Sequence, residues 1–415
     1  MYKVLNKKRE NEIINKIKNT LFLAKDLEEF ENFLIPGEDY KIIANRSSEI
    51  LSNKYPKALV YENLINFREY STSNFFQKDL FTKDYFKISN FKYSAIWAYQ
   101  AYPWLDDLKL SGLEVFTIDY TLFLNIKNKI FQHKMIDNFY RENNKNPILK
   151  NKIHLKTSIV SKNIFDYSYY KKKYETAFVL SCSNSDGGSC VFLINSIDDY
   201  NIALSKITSP VIKLEKYMDG AISVNQNAIV FGNGLIVSYQ PSIQILQNRQ
   251  CNNCFEYIGS DYNIDAFISE KVIKDITDTT YMIGKFLHSI GYRGIFGCDY
   301  IVKDNEHFFI EINPRYQAST FLLSLSSCFT EHPHFLHMYS FLYNDSPYEK
   351  NTMLNVIKKN RPSSYIKYFH QSDLITHNPK QSIKFDNNVH CGLGIYNSQI
   401  VSKASFPVKL NISKP

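Results

Sequence analysis

The sequence predicts a three-part protein of mixed α/β and α+β class. An N-terminal α/β domain covers residues 1–122, a central domain residues 123–344, and a mixed C-terminal appendage residues 345–415. Three observations predict this. Up to about residue 122, strand-like apolar runs alternate with helical or loop stretches, as in a small α/β unit. From residue 147 the chain turns to pairs of apolar runs around short polar or small-residue links, the pattern of hairpins. A chain of 415 residues is also long enough to bury two or three cores.

Taken in order, residues 7–35 carry helical periodicity at Ile13, Ile14, Ile17, Leu21 and Leu23, closed by Pro36 and Gly37. Strands are expected at Lys57–Tyr61, Ser94–Tyr99 and Leu113–Ile118. A helix then runs from about Asn125 to Tyr140 and ends at RENNKNP, Arg141–Pro147. The stretch FVLSCSNSDGGSCVFLIN, Phe178–Asn195, is two apolar runs around a small-residue loop. PVIKLEKYMDGAISVN, Pro210–Asn225, reads as strand, short link and strand. A helix over 269–289 leads into GCDYIVKDNEHFFIEINPR, residues 297–315, and a second helix follows from Thr320. A closing β segment lies near Gly392–Val401, and no internal repeat is present.

Composition narrows the function classes. A hydrophobic share of 44% with 22% charged residues excludes global disorder. The net charge of +8 is scattered. Its densest run, Lys171–Lys173, is flanked by tyrosines and reads as a solvated face, so nucleic acid is not an expected partner. No stretch has the length of a signal core or a membrane span, so no membrane partner and a cytoplasmic location are expected. Seven cysteines without regular spacing fit a reducing compartment better than a disulfide framework. Cys251 and Cys254 form one CxxC with no second pair, which favours two ordinary thiols over zinc. The cluster Glu331, His332, His334 and His337 lacks HExxH spacing and is interrupted by Pro333, so it reads as structural.

The chemistry concentrates in residues 297–315. Tyr300, Ile301 and Val302 precede the polar cluster Asp304, Asn305 and Glu306, and Phe308, Phe309 and Ile310 follow it. A loop centred on Asn305 sets Asp299 across from Glu311 and Gly297 across from Asn313. Glu311 and Asn313 share one face because side chains alternate along a strand. Opposed like charges repel, so the pair is a solvated outer face, a sign of a different register, or a cation site. The apolar neighbours favour a divalent cation with hard oxygen ligands. NSDGGSC, Asn184–Cys190, has paired glycines that let backbone amides converge on an anion; in isolation a plain hairpin turn is the better reading, and the downstream carboxylate pair raises the anion reading. Arginine is scarce, eight against forty-one lysines. Arg315 stands out among Arg249, Arg293 and itself, because Pro314 fixes it two residues after Asn313, where a forked guanidinium suits a phosphate or carboxylate. GxxxxGK[ST], GxGxxG and GxSxG are absent.

Asp299 followed twelve residues later by Glu-x-Asn-x-Arg, inside GYRGIFGCDYIV…FFIEINPRYQAST, resembles the metal-binding core of the ATP-grasp superfamily. The resemblance covers about residues 125–330 and implies the ATP-grasp fold, with nucleotide held between two lobes. It also implies ATP and Mg2+, with Mn2+ as an alternative. Asp299, Glu311 and Asn313 match the metal ligands, and Lys129 a nucleotide-binding lysine. Ser185, Gly187 and Gly188 belong to the matching phosphate loop. Glu215 would accept from the adenine amino group while the backbone of Lys216, Tyr217 and Met218 reads the ring edge. Two positions depart from the pattern. Ser181 and Cys182 stand where a second nucleotide lysine is usual, and Ile222 where relatives often carry a ribose-binding glutamate.

The activity this implies is a carboxylate–amine ligase that forms an amide or peptide bond through an acyl phosphate, with Arg315 as the catalytic residue. Its partners would be small-molecule or peptide carboxylates and amines, and a homo-oligomer is compatible with it. Two other readings stay open: activation of bicarbonate, as in the carboxylase and carbamoyl-phosphate branches, and a nucleotide-binding regulatory protein without catalysis.

Overall fold

The computed structural model describes residues 7–30, 32–46, 53–60, 92–142, 155–184, 190–246, 255, 257–357, 364–369, 394–396 and 399–404. Cys251 and Cys254 lie outside them. Helix α1 (Lys7–Lys18) buries Ile13 and Ile17. The helix expected to continue to residue 35 stops there, and β1 (Thr20–Asp26) follows. Leu21, Phe22, Leu23 and Ala24 are all fully buried. Phe22 and Ala24 serve one core, Leu21 and Leu23 another. A parallel strand covered on both faces reads as a continuous apolar run, and here that run happened to continue the spacing of Ile13 and Ile17.

Parallel to β1 lie β2 (Lys41–Arg46), β3 (Leu59–Val60), β4 (Ala95–Ala98) and β5 (Glu114–Phe116), in the order β3-β2-β1-β4-β5. The order reverses between β1 and β4, which opens a crevice at their carboxyl ends. Helix α2 (Pro103–Leu110) connects β4 to β5. Next come α3 (Tyr120–Lys127) and α4 (Lys129–Glu142), where one helix was expected from Asn125 to Tyr140. Asn128 divides them because its side chain accepts from the amides of Ile130 and Phe131, at 3.0 and 3.1 Å, and so caps α4.

The second sheet is antiparallel. Strands β6 (Thr157–Ser161), β7 (Phe178–Cys182), β8 (Val191–Ile194) and β9 (Val211–Lys216) run in the order β6-β9-β7-β8. Helices α5 (Tyr167–Tyr174) and α6 (Ile197–Lys206) cover one face, packing on Phe178, Leu180, Ile212 and Leu214. Alternation turns Lys213 and Glu215 to the opposite face.

The third sheet contains β10 (Ile222–Val230), β11 (Ile236–Tyr239), β12 (Ser242–Leu246) and β13 (Tyr257–Asp261). After α7 (Glu270–Ser289) come β14 (Gly294–Lys303) and β15 (Glu306–Asn313), then α8 (Thr320–Ser326) and α9 (Pro333–Leu342). Along its main path β15 is the outer strand beside β14, which pairs with β10. Helix α7 buries Ile276, Ile283 and Leu287 in the core that holds Phe296, Cys298 and Tyr300 of β14. The C-terminal segment, expected as an appendage, adds strands to this sheet. Among them, β16 (Thr352–Leu354) pairs with β11 and β17 (Ser364–Phe369) with β13, and β18 (Gly394–Tyr396) and β19 (Gln399–Ala404) extend the row.

The first and third sheets meet at an aromatic seam. His334 stacks on Trp97 with centroids 4.6 Å apart, and Tyr316 packs on both rings. His337 accepts the Ile295 amide at Nδ1, 3.0 Å, and donates from Nε2 to the Phe116 carbonyl, 2.9 Å. The histidine cluster thus joins two sheets, the structural role its spacing indicated.

Candidate active site

The β14–β15 hairpin turns through Asp304 and Asn305, whose φ values of 53° and 60° are left-handed. A two-residue turn of this hand matches the twist of the flanking strands. It pairs Lys303 with Glu306 and Tyr300 with Phe309. This is one residue away from the register expected of a loop centred on Asn305, which would set Tyr300 opposite Ile310. A β-bulge at Ile310 then restores the expected alignment, so that Asp299 lies across from Glu311 and Gly297 across from Asn313.

The carboxylates do not face each other unaided. Lys129, at the first turn of α4, reaches Glu311 Oε2 at 2.6 Å. Its amide donates to the Ser183 carbonyl at 2.8 Å, which ties the helix start to the end of β7. Gln132, one turn on, donates to the Ile312 carbonyl and accepts from the Ile312 amide, at 2.7 and 2.8 Å. It pairs with β15 as a neighbouring strand would. From β9, Lys213 contacts Glu215 Oε1 at 2.9 Å and donates to the Ile310 carbonyl at 3.2 Å. Asp299 accepts from Gln317 at 2.7 Å, Gln244 at 3.1 Å and Asn313 at 3.0 Å. Asn313 also turns its amide nitrogen to Glu311 at 3.3 Å.

Asp299, Glu311 and Glu215 therefore share the site with two ammonium groups, Lys129 and Lys213. Burial and the neighbouring Glu311 push the Asp299 carboxyl up to about 8. Burial works against the Glu311 carboxylate too, but Lys129 outweighs it and holds Glu311 below the usual range. Burial likewise disfavours the Lys129 ammonium, and Glu311, Glu215 and Asp299 together raise it nonetheless. One acid is left without a counter-charge. Among the described residues no three His, Cys, Asp or Glu side chains gather as a complete metal cage. Two carboxylates and an amide oxygen do fit a hard cation that completes its shell with phosphate oxygens. For Asn313 to ligate through oxygen, its amide must turn over.

The structure thus brings Lys129, Glu215, Asp299, Glu311 and Asn313 together. The amides of Lys216 and Tyr217 already donate to the carbonyls of Lys156 and Ala177, at 3.1 and 3.2 Å. Arg315 turns to the first sheet: Nη1 donates to Tyr99 Oη at 3.2 Å and to the Tyr316 carbonyl at 2.9 Å. It reaches the crevice beyond β4 rather than the carboxylate pair. Ser185, Gly187 and Gly188 lie outside the described residues. Cys182 and Cys190, expected as thiols, form a disulfide at the base of that loop, with Cα atoms 5.7 Å apart. Strands β7 and β8 impose this approach, since the Cys182 amide donates to the Cys190 carbonyl at 3.1 Å.

Sequence reasoning missed Lys213, Gln317 and Gln244. For Gln317 a signal existed in the glycine opposite Asn313. A Cβ at Gly297 would lie 2.1 Å from the Gln317 amide carbon, so only glycine admits that side chain beside Asp299. Ser319 fixes the loop that carries Gln317, accepting from Asn225 and Asn227, both at 2.9 Å. Asn225 pairs with Asp299 in the ladder.

Residues 172–319 match the ATP-grasp domain family. A search of curated proteins returns no match. Among solved structures, biotin carboxylase from Campylobacter jejuni in complex with β,γ-ATP is similar at a TM-score of 0.64 and 13% identity, over 92% of this chain and 86% of that one. N5-carboxyaminoimidazole synthetase from Staphylococcus aureus with ADP gives 0.58 and 11%, over 95% of each chain. N5-carboxyaminoimidazole synthase from Aspergillus clavatus, with ADP and 5-aminoimidazole ribonucleotide, gives 0.57 and 13%, over 93% and 94%. At these identities the likeness is one of fold. The domain match, with the hairpin that carries Asp299, Glu311 and Asn313, identifies residues 172–319 as an ATP-grasp domain.

Proposed function

We propose that this protein is an ATP-dependent carboxylate–amine ligase that forms an amide or peptide bond through an acyl phosphate. The observation that carries the reading is the buried carboxylate pair of Asp299 and Glu311, one acid short of counter-charge, beside Lys129 in the cleft between the second and third sheets. A magnesium ion bound there by Asp299, Glu311 and Asn313 would supply charge neutralisation for the β and γ oxygens of ATP, which phosphoryl transfer needs more than covalent help.

The chain's own residues do the rest. Lys129 holds Glu311 ionised and gives the cleft its positive end. Glu215, paired with Lys213, is an acceptor aimed at the adenine amino group. Lys216 and Met218 frame the ring edge. The acid substrate takes the crevice at the carboxyl ends of β1 and β4, beside Tyr99 and Arg315. There the guanidinium would stabilise the acyl phosphate and the oxyanion formed on amine attack. Pinned by Tyr99 and the Tyr316 carbonyl, it needs little reorganisation to do so.

One other reading has specific support. The similar structures include a biotin carboxylase and N5-carboxyaminoimidazole synthetases, so bicarbonate is the alternative acid. An ADP-release screen of amino acids and short peptides in pairs, run with and without bicarbonate and followed by mass spectrometry, separates the two. ADP release that requires an amine and leaves an amide product supports the ligase. Release that requires bicarbonate supports carboxylation. Tight ATP binding with no release in any pairing overturns both.

A further inference from the structure

The bulge at Ile310 is what turns Glu311 across from Asp299, since the hairpin turn alone sets a register one residue away. An inserted residue breaks the ladder locally and needs something to hold its carbonyl. Lys213 supplies it. Its side chain is 2% exposed, and the ammonium bridges the Ile310 carbonyl at 3.2 Å and Glu215 Oε1 at 2.9 Å. The residue sits on β9, opposite Ser181 of β7, on a different sheet from the bulge it holds. Burying an ammonium is costly unless it is both paired and hydrogen-bonded, and Lys213 is both.

We propose that Lys213 is a positioning residue that sets the register of the carboxylate pair. It pins the bulge at Ile310 and, through Glu215, ties the adenine-reading strand to the metal-binding hairpin. This rests on the ATP and magnesium reading given above. It predicts that nucleotide and metal binding are coupled through the Lys213 ammonium.

Two measurements test it on the full chain, with Lys213→Met and Lys213→Arg compared to the native protein. In calorimetric titrations of ATP at varied Mg2+, Lys213→Met should raise the Mg2+ concentration for half-saturation by about 10- to 100-fold, the range for residues that orient metal ligands. Metal-free ATP affinity should change far less, and Lys213→Arg should recover most of the loss. A Mg2+ requirement unchanged within about twofold overturns the proposal, as does an equal loss with and without Mg2+. The second measurement is the crystal structure of Lys213→Met. A bulge displaced from Ile310, with Glu311 rotated away from Asp299, supports the assignment; an unmoved hairpin overturns it. This arm needs no nucleotide. A native protein that binds no ATP would therefore refute the proposed function while the register question still receives its answer.

Discussion

At the scale of single residues, charge decides the site. Glu311→Gln removes one carboxylate and the partner of Lys129 without changing shape, so the fold should persist while turnover falls at least about a hundredfold. Near-native turnover at saturating magnesium would sink that role. Lys129 is the positive group against Glu311, and Lys129→Ala should weaken ATP binding more than binding of the acid. Calorimetry showing unchanged ATP affinity would move the nucleotide's lysine elsewhere. Arg315 is the most informative position, because its partners Tyr99 and Tyr316 admit both a structural and a catalytic role. Arg315→Lys keeps the charge and loses the fork, so amide formation should fall by about 10²- to 10³-fold with ATP binding nearly intact. A variant with a lowered melting temperature and full turnover per folded molecule would make Arg315 structural. Asp299, Glu311 and Asn313 were legible because they lie within one short segment. Lys213 was not, since its partner Ile310 is 97 positions away.

At the scale of elements, the hairpin carries the geometry, and its turn carries the hairpin. Asn305 sits at φ 60°, where a β-branched side chain is strained and glycine is not. Asn305→Val should lower stability by about 1 kcal/mol or more, whereas Asn305→Gly should match or exceed the native protein. Urea midpoints read both; an Asn305→Val variant as stable as native would mean that the turn does not set the register. The hairpin, α7, the β7–β8 pair and the succession of β9 and β10 were readable because their patterns are local, although β9 and β10 join different sheets. Strand β1 was misread as helix because a strand buried on both faces has no period of its own. The split between α3 and α4 was missed because Asn128 acts as a cap only when the following amides point at its side chain.

At the scale of the whole molecule, the joint between the first and third sheets should be acid-sensitive. Burial lowers His337 to about 4, and His334 lies well below its ordinary value through burial and the neighbouring His332 and His337. Both are neutral when folded, and His337 needs Nδ1 free of a proton to accept from Ile295. The stabilisation is complete above the unfolded value near 6.5 and is lost as pH falls toward 4. For His337 alone this amounts to about 2 kcal/mol by pH 5 and about 3 kcal/mol by pH 4. Denaturant midpoints at pH 7 and pH 5, compared with His337→Gln, check it; equal pH dependence in the two proteins would clear His337 of that role. The histidines were legible only as non-metal residues, because Trp97 and Phe116 reach them from far upstream. By itself the sequence determined the class of fold, the ATP-grasp domain and the carboxylate hairpin, since turn residues, strand alternation and a compact motif are written in neighbouring positions. Tertiary structure alone decided the bulge and the lysine that holds it, Arg315 at the crevice of the first sheet, and the return of β16 and β17 to the third. Each of those depends on which distant backbone carbonyl, carboxylate or strand edge is left to be satisfied once the sheets have packed, and no local pattern encodes that.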